Sequence, residues 1–365
     1  MFSRNFIFSI LFTISCCIPV MLSAQVETDN SNAVSEVEKA TPLFHSEDIV
    51  HIKLTGNLTE LFRDIGENNS YHPILLQYPG ADSSQVDIPI RVKTRGHYRK
   101  EKGICKMPPL LLVFPKGKVK NSLFANQEKL KLIVSCVGDD YVIKEYLVYK
   151  LYNLITGKSF RNRLALVTFE DSAHKRKTET HYCFLLEDEK EMAARNGCFV
   201  IKKQMVKMTA TNRDEFRKMA VFQYLVGNTD WGVSFLQNIV LITKDSLMAP
   251  YTVAYDFDQA GIVDAPYAIP HPELEIPTVR TRLYRGFCEN DMNNFSSTFA
   301  LFNRLKPDIY KVYDSCSSLS AGYLKYVKRY LDDFYKTINN AREIKNEFGS
   351  PCNLDQRVEI KGLKK

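Results

Sequence analysis

The chain has 365 residues, of which 45% are apolar and 25% charged, and 49 Lys and Arg stand against 42 acidic residues for a net charge of +7. Those are globular proportions, which exclude a disordered tail, a collagen-like repeat and a disulfide-dense miniprotein. Acidic residues are interleaved among the basic ones, so the excess forms neither the patch nor the stripe of a nucleic-acid binder, and nucleic acid is not an expected partner.

Residues 1–24 carry one charge, Arg4, ahead of a long apolar run that ends on Leu22-Ser23-Ala24. A basic start, an apolar middle and a small-residue finish predict a cleaved secretory signal peptide. Pro19 interrupts the run and no stop-transfer flank follows, which argues against a retained anchor. The alternative of a lipid anchor on Cys16 or Cys17 meets a poor lipobox in Thr13-Ile14-Ser15. No later stretch is apolar enough to span a bilayer, so the expected location is the periplasm, the cell envelope or the outside of the cell. Cleavage removes two of the nine cysteines, and the seven that remain form no C-x-x-C pair. In an oxidising compartment an odd number leaves at least one free thiol. The preferred bridge is Cys105 to Cys136, because both lie on or beside neighbouring predicted strands. The plainer reading is that several cysteines are small buried apolar residues.

Residues 25–45 are polar and aperiodic, a spacer ahead of the fold. Alternating apolar runs predict strands over 49–54, 88–94, 110–114 and 130–134. The period then becomes helical over 139–155, where Asp139 or Asp140 can cap the start and Gly157 marks the stop. Strands return over 164–169 and 181–186. A helix over 214–226 places Phe216, Met219, Ala220, Phe222 and Leu225 on its apolar positions. A Gly-Asn-Thr-Asp loop follows, then strands over 239–242 and 251–255, a Pro-rich loop, and helices through 291–348. The expected division is a strand-rich lobe over 46–190, a helix-rich lobe over 191–350 and a tail over 351–365, together a two-lobed α+β protein.

The chemistry concentrates after residue 226. Gly227-Asn228-Thr229-Asp230-Trp231, Asn238 and Tyr255-Asp256-Phe257-Asp258 place three carboxylates and an amide on loops around a short strand pair. A magnesium ion takes oxygen ligands, usually one or two carboxylates plus substrate phosphates. Phosphoryl transfer needs such ligands, a further Asp to receive the hydroxyl proton, and a cation on the phosphates. Asp230 is the candidate base, and Asn238, Asp256 and Asp258 are candidate metal ligands. Taken singly, each motif is ordinary turn chemistry; their order makes the case. The lysine-rich stretch over 100–120 and the arginines Arg280, Arg282 and Arg285 are further anion-site candidates, each with a plain surface reading beside it. The histidines form no metal-binding pair, and no Gly-x-Ser-x-Gly elbow is present.

Helix, Asp loop, Asn and Asp-x-Asp in that order resemble the catalytic half of the CotH-like spore-coat kinases, atypical relatives of the protein kinases. The whole chain is similar to exported Bacteroidetes-type proteins that look like remote members of that group. Arg95-Gly96 resembles the family's Arg-Gly turn, and the strand over 130–134 leading into the helix over 139–155 resembles the elements that carry a kinase's lysine and its glutamate. The resemblance implies a two-lobed protein-kinase-like fold, with a strand-rich N-terminal lobe and a helix-rich C-terminal lobe meeting at the site. It makes Lys131 the phosphate-binding lysine and Glu145 its ion-pair partner, with Lys106 a second candidate lysine and Arg95 beside them. It implies ATP with Mg²⁺ or Mn²⁺ as cofactors and a protein or envelope molecule as substrate. The chain departs from protein kinases in spacing, since Asn238 lies eight residues after Asp230 where kinases have five, and in having Asp-Phe-Asp for Asp-Phe-Gly. Two function classes follow: an exported ATP-dependent kinase, or an inactive member that binds a ligand or partner at the envelope.

Overall fold

A computed structural model describes residues 42–96, 99, 105–117 and 119–352. The expected signal peptide, most of the spacer, nearly all of the tail and part of the lysine-rich stretch lie outside the described residues.

Period-two burial builds the first half. In β1 (Val50–Gly56), Val50, Ile52 and Leu54 face inward and His51 outward. A short helix, α1 (Leu58–Arg63), follows, with the Asn57 side chain accepting from the Glu60 N–H at its start. Next come β2 (His72–Pro79), β3 (Gln85–Thr94), β4 (Leu110–Val113) and β5 (Lys129–Ile133). After the long helix α2 (Asp139–Ile155) the chain returns as β6 (Asn162–Asp171) and β7 (Glu179–Leu186). The strands run in the order β1-β2-β3-β4-β5-β7-β6, and β6 closes the ring by pairing parallel with β1, from Val50 opposite Ala165 to Gly56 opposite Asp171. The inward residues, among them Leu54, Leu76, Val92, Leu112, Leu132 and Leu185, fill the barrel as one apolar core.

The remainder supplies α3 (Glu189–Arg195), β8 (Phe199–Ile201), α4 (Arg213–Val226), β9 (Ile239–Thr243), β10 (Tyr251–Ala254), α5 (Ser296–Asp314), α6 (Ala321–Ile338) and α7 (Ala341–Phe348). Strands β10, β9 and β8 form a separate antiparallel sheet. No described helix is long and apolar enough to cross a membrane.

This architecture corrects the two-lobed kinase-like fold expected from the sequence. Seven strands close into a barrel in the place of the expected strand-rich lobe of a kinase-like fold. Nor does the barrel stand apart. Helix α2 is buried on most of its surface, from Val142 through Tyr152, because it packs on β7 on one side and on α4 and α5 on the other. The outward residues Ile133, Phe184 and Leu186 of the barrel wall share one apolar core with those helices and the second sheet. Burial on that scale joins the halves, since fully burying each such side chain contributes about 1.5–3 kcal/mol.

Among the described residues two disulfides are present, Cys105–Cys136 as expected and Cys288–Cys352, which was not foreseen. Cys183 is fully buried inside the barrel, and Cys198 and Cys316 are also free. Of these seven cysteines, alkylation of the unfolded, unreduced protein should therefore label Cys183, Cys198 and Cys316 and spare the four bridged residues. Labelling of Cys105 or Cys136 in protein made under oxidising conditions contradicts the first bridge. Each bridge should contribute about 2–4 kcal/mol through the unfolded chain it constrains.

Candidate active site

Helix α4 stops at Gly227, whose left-handed backbone (φ 66°) is the usual helix end. A side chain there would also collide with Tyr330, whose hydroxyl oxygen lies 1.9 Å from where a Cβ would stand. The chain thus turns sharply into the Asp230 loop. Asn228 organises it: its Oδ1 accepts from the Asp230 N–H at 3.1 Å and its Nδ2 donates to Gln223 Oε1 at 3.0 Å. Trp231 is buried against Phe216, and Arg285 donates to the backbone carbonyls of Thr229 and Trp231.

Within this frame the Asp230 carboxylate accepts from Asn238 Nδ2 at 3.0 Å and from Gln237 Nε2 at 3.3 Å. Asn238 Nδ2 also donates to the Asp230 carbonyl at 2.8 Å. The amide nitrogen of Asn238 is thereby committed to Asp230, and its Oδ1 makes no hydrogen bond among the described residues. The Asn238 carbonyl accepts from the Tyr255 N–H, which couples the Asp230 loop to the end of β10.

Beyond Tyr255 the chain enters the left-handed region at Asp256 (φ 63°), where a non-glycine residue is uncommon. The Asp256 N–H donates to Tyr149 Oη of α2 at 2.8 Å, and Phe257 is fully buried. Asp256 and Asp258 then face a single guanidinium. Arg99 Nε donates to Asp258 Oδ2 at 2.8 Å, and Nη2 donates to Glu145 Oε2 at 3.0 Å and to Asp256 Oδ1 at 3.2 Å. Asp256 is 43% exposed, whereas Arg99, Glu145 and Asp258 retain 8%, 2% and 8%, so the cluster opens to solvent at Asp256.

The carboxylates share one field. Desolvation, then Asp258 and Asp256, push Asp230 up to about 7. Desolvation also pushes Glu145 up to about 8 against the pull of Arg99, and it raises Asp256, with Asp258 adding to the effect. Lys131 projects from the outer wall of β5 over the rings of Tyr255 (4.9 Å) and Phe160 (5.6 Å). Burial and then Arg95 lower it to about 8, while Glu189 and Asp256 act the other way.

The structure thus brings Asp230 and Asn238 into contact and joins Asp256, Asp258 and Glu145 through Arg99. It does not form the expected Lys131–Glu145 ion pair. Glu145 lies on a buried face of α2 with Arg99, whereas Lys131 lies over aromatic rings and pairs with no carboxylate among the described residues. Lys106 is exposed and makes no described polar contact with the site. Arg95 acts on Lys131 and Asp256 through its field, without a direct bond to either among the described residues. The three C-terminal arginines are committed structurally: Arg280 to Asp264, Arg282 to the carbonyls of Tyr224, Leu225 and Tyr330, and Arg285 to the Asp230 loop. Arg99 was missed as a site residue. In the sequence it only heads a lysine-rich stretch, and no local pattern distinguishes it from a solvated arginine.

Among the described residues no three His, Cys, Asp or Glu side chains are grouped as a ready metal cage. The Arg99 guanidinium lies among the carboxylates instead. The donors themselves suit a hard divalent cation: they are carboxylate oxygens, those of Asp256 and Asp258 among them, and Glu145 Oε1 is buried with no hydrogen-bond partner among the described residues.

The raised Asp230 has a consequence for stability. Between the ordinary value of 3.8 and about 7 the folded protein keeps a proton that the unfolded chain releases. Its contribution to stability is therefore fullest below the unfolded value and is lost as pH rises through that window. The nucleotide-free Asp230→Asn variant should show a flatter Tm profile over the same range, and an unchanged slope would contradict this assignment.

No protein-family model matches the chain, and no curated protein matches it. A solved structure that resembles it is the crystal structure of a Helicobacter pylori proinflammatory kinase, CtkA. The two share 11% identity at a TM-score of 0.39, over 69% of this chain and 95% of that one. So distant a likeness carries no argument here. The comparisons provide no link to the CotH-like proteins.

Proposed function

We propose that the protein binds a nucleoside triphosphate with Mg²⁺ or Mn²⁺ and transfers the terminal phosphoryl group to a hydroxyl of a protein or envelope molecule. The observation that carries the reading is the convergence of an amide-oriented Asp230 with Asp256 and Asp258, beside Lys131 and Arg95. Asp230 would accept the proton of the attacking hydroxyl, and a base poised near 7 suits that task at neutral pH. Asn238 fixes its orientation through Nδ2. Asp256 and Asp258, with Asn238 Oδ1, would hold the metal, which when bound supplies neutralisation of charge on the phosphates. Lys131 and Arg95 would contact the phosphates directly. Two disulfides support the reading that the chain works in an oxidising compartment.

A second reading, nucleotide binding without transfer, is favoured by one observation: Arg99 already pairs with Asp256 and Asp258 where a metal would bind. Both readings predict that ATP or ADP with Mg²⁺ or Mn²⁺ raises the Tm. Nucleotide at a hundredfold excess over its Kd contributes about 2.7 kcal/mol, and Asp256→Ala should lose the metal-dependent part of that gain. A wild-type Tm indifferent to metal and nucleotide rejects both readings. Phosphate transfer to a mixture of envelope proteins, read by mass spectrometry, separates the first from the second.

A further inference from the structure

We infer that Arg99 is a resident counter-ion at the Glu145, Asp256 and Asp258 carboxylates, which a divalent cation arriving with nucleotide must displace. The inference rests on the metal–nucleotide reading and adds a competitor that controls it. One guanidinium bridges three carboxylates at 2.8, 3.0 and 3.2 Å. It does not satisfy them, because Glu145 Oε1 is buried without a hydrogen-bond partner among the described residues, although its sister oxygen accepts from Arg99. The three carboxylates are not grouped as a cage around it, but at Asp256 and Asp258 a compact divalent cation, completing its shell with phosphate oxygens and water, would compete with the guanidinium for the same oxygens. Asp256 is the member open to solvent, so exchange would begin there. Arg99 is also tethered close to its partners. The Cys105–Cys136 bridge fixes the chain six residues beyond it to the residue three before α2, the helix that carries Glu145.

Two cations that exclude each other from one set of ligands are negatively coupled, and coupling between sites typically amounts to about 5–150-fold in affinity. Arg99→Gln removes the charge and keeps a hydrogen-bonding amide. In EDTA this variant should melt below the wild type, since its carboxylates lose the guanidinium that bridges them. Mn²⁺ without nucleotide should restore its Tm, and calorimetric titration should give a Mn²⁺ affinity at least about tenfold tighter than that of the wild type. Arg99→Lys keeps one charge but cannot bridge three carboxylates; it should fall between the two and serves if the glutamine variant does not fold. Equal Mn²⁺ affinity in wild type and variants overturns the inference while leaving the metal–nucleotide reading intact, provided the wild type binds Mn²⁺ with ATP. Loss of Mn²⁺–ATP binding in folded Arg99→Gln would make Arg99 a phosphate ligand and also overturns the inference. Absence of Mn²⁺ binding in every variant, with or without ATP, overturns the inference and the reading together.

Discussion

Asp230→Asn should lower phosphate transfer by about 10²–10⁴-fold, the usual contribution of a positioned general base, while leaving metal–nucleotide affinity nearly unchanged. The separation follows from the hydrogen bonds. Asp230 is held by Asn238 and Gln237, and Arg99 contacts Asp256 and Asp258 without touching Asp230. An amide at position 230 keeps the side chain's shape, and Gln237 can turn its own amide to present an acceptor, so the loop should survive. The variant should also be at least as stable as the wild type above about pH 7, because it removes a carboxylate that burial and two neighbouring aspartates resist ionising. Single-turnover transfer and ADP titration on the same preparation make the test. A variant that retains transfer excludes Asp230 as the base, and one that loses nucleotide binding as well makes the loop a structural support for the whole site.

Local elements were legible in the sequence where the signal was local. Helix α2 coincides with the helical period over 139–155, because an acidic start and a Gly157 stop bound a long apolar pattern. The Asp230 loop, Asn238 and the Asp-x-Asp turn stand on the loops anticipated for them, and the Cys105–Cys136 pairing followed from two adjacent strands. Closure of the barrel was not legible. Strand β2 begins His72-Pro73 and ends on Pro79, and prolines weaken a strand reading. Without β2 the remaining strands suggest an open sheet. The parallel pairing of β1 with β6 joins residues more than a hundred apart, and no local periodicity records it. The same limit hid Arg99, whose partners lie 46 to 159 residues away. It also misdirected Glu145 to Lys131, since a resemblance in element order predicts which helix carries an acid but not which cation packs against it.

Phe257→Ala should cost about 3–5 kcal/mol, the range for deleting a fully buried aromatic ring, out of a total that for most domains is only about 5–15 kcal/mol. The ring is 0% exposed and packs edge-on against Tyr149 at 4.8 Å, Phe222 at 5.6 Å and Tyr152 at 6.1 Å. Those partners come from α2 and α4, so one side chain fastens the Asp-x-Asp turn to both helices behind it. The turn needs that fastening. Asp256 sits at φ 63°, and such a backbone costs of order 1–3 kcal/mol and persists only where its surroundings impose it. Removing the ring frees Asp256 to relax towards an ordinary conformation and to draw away from Tyr149 Oη and Arg99. Phe257→Leu separates the two effects. It keeps most of the volume and should cost under about 1.5 kcal/mol, so the protein stays folded, but it gives up the edge-on ring contacts that orient the turn. If Phe257 positions the aspartates, the leucine variant should bind Mn²⁺–ATP more weakly than its small loss in urea stability would suggest. If affinity follows stability alone in both variants, Phe257 is core filling, and the conformation of Asp256 is imposed by its bond to Tyr149 without help from the ring.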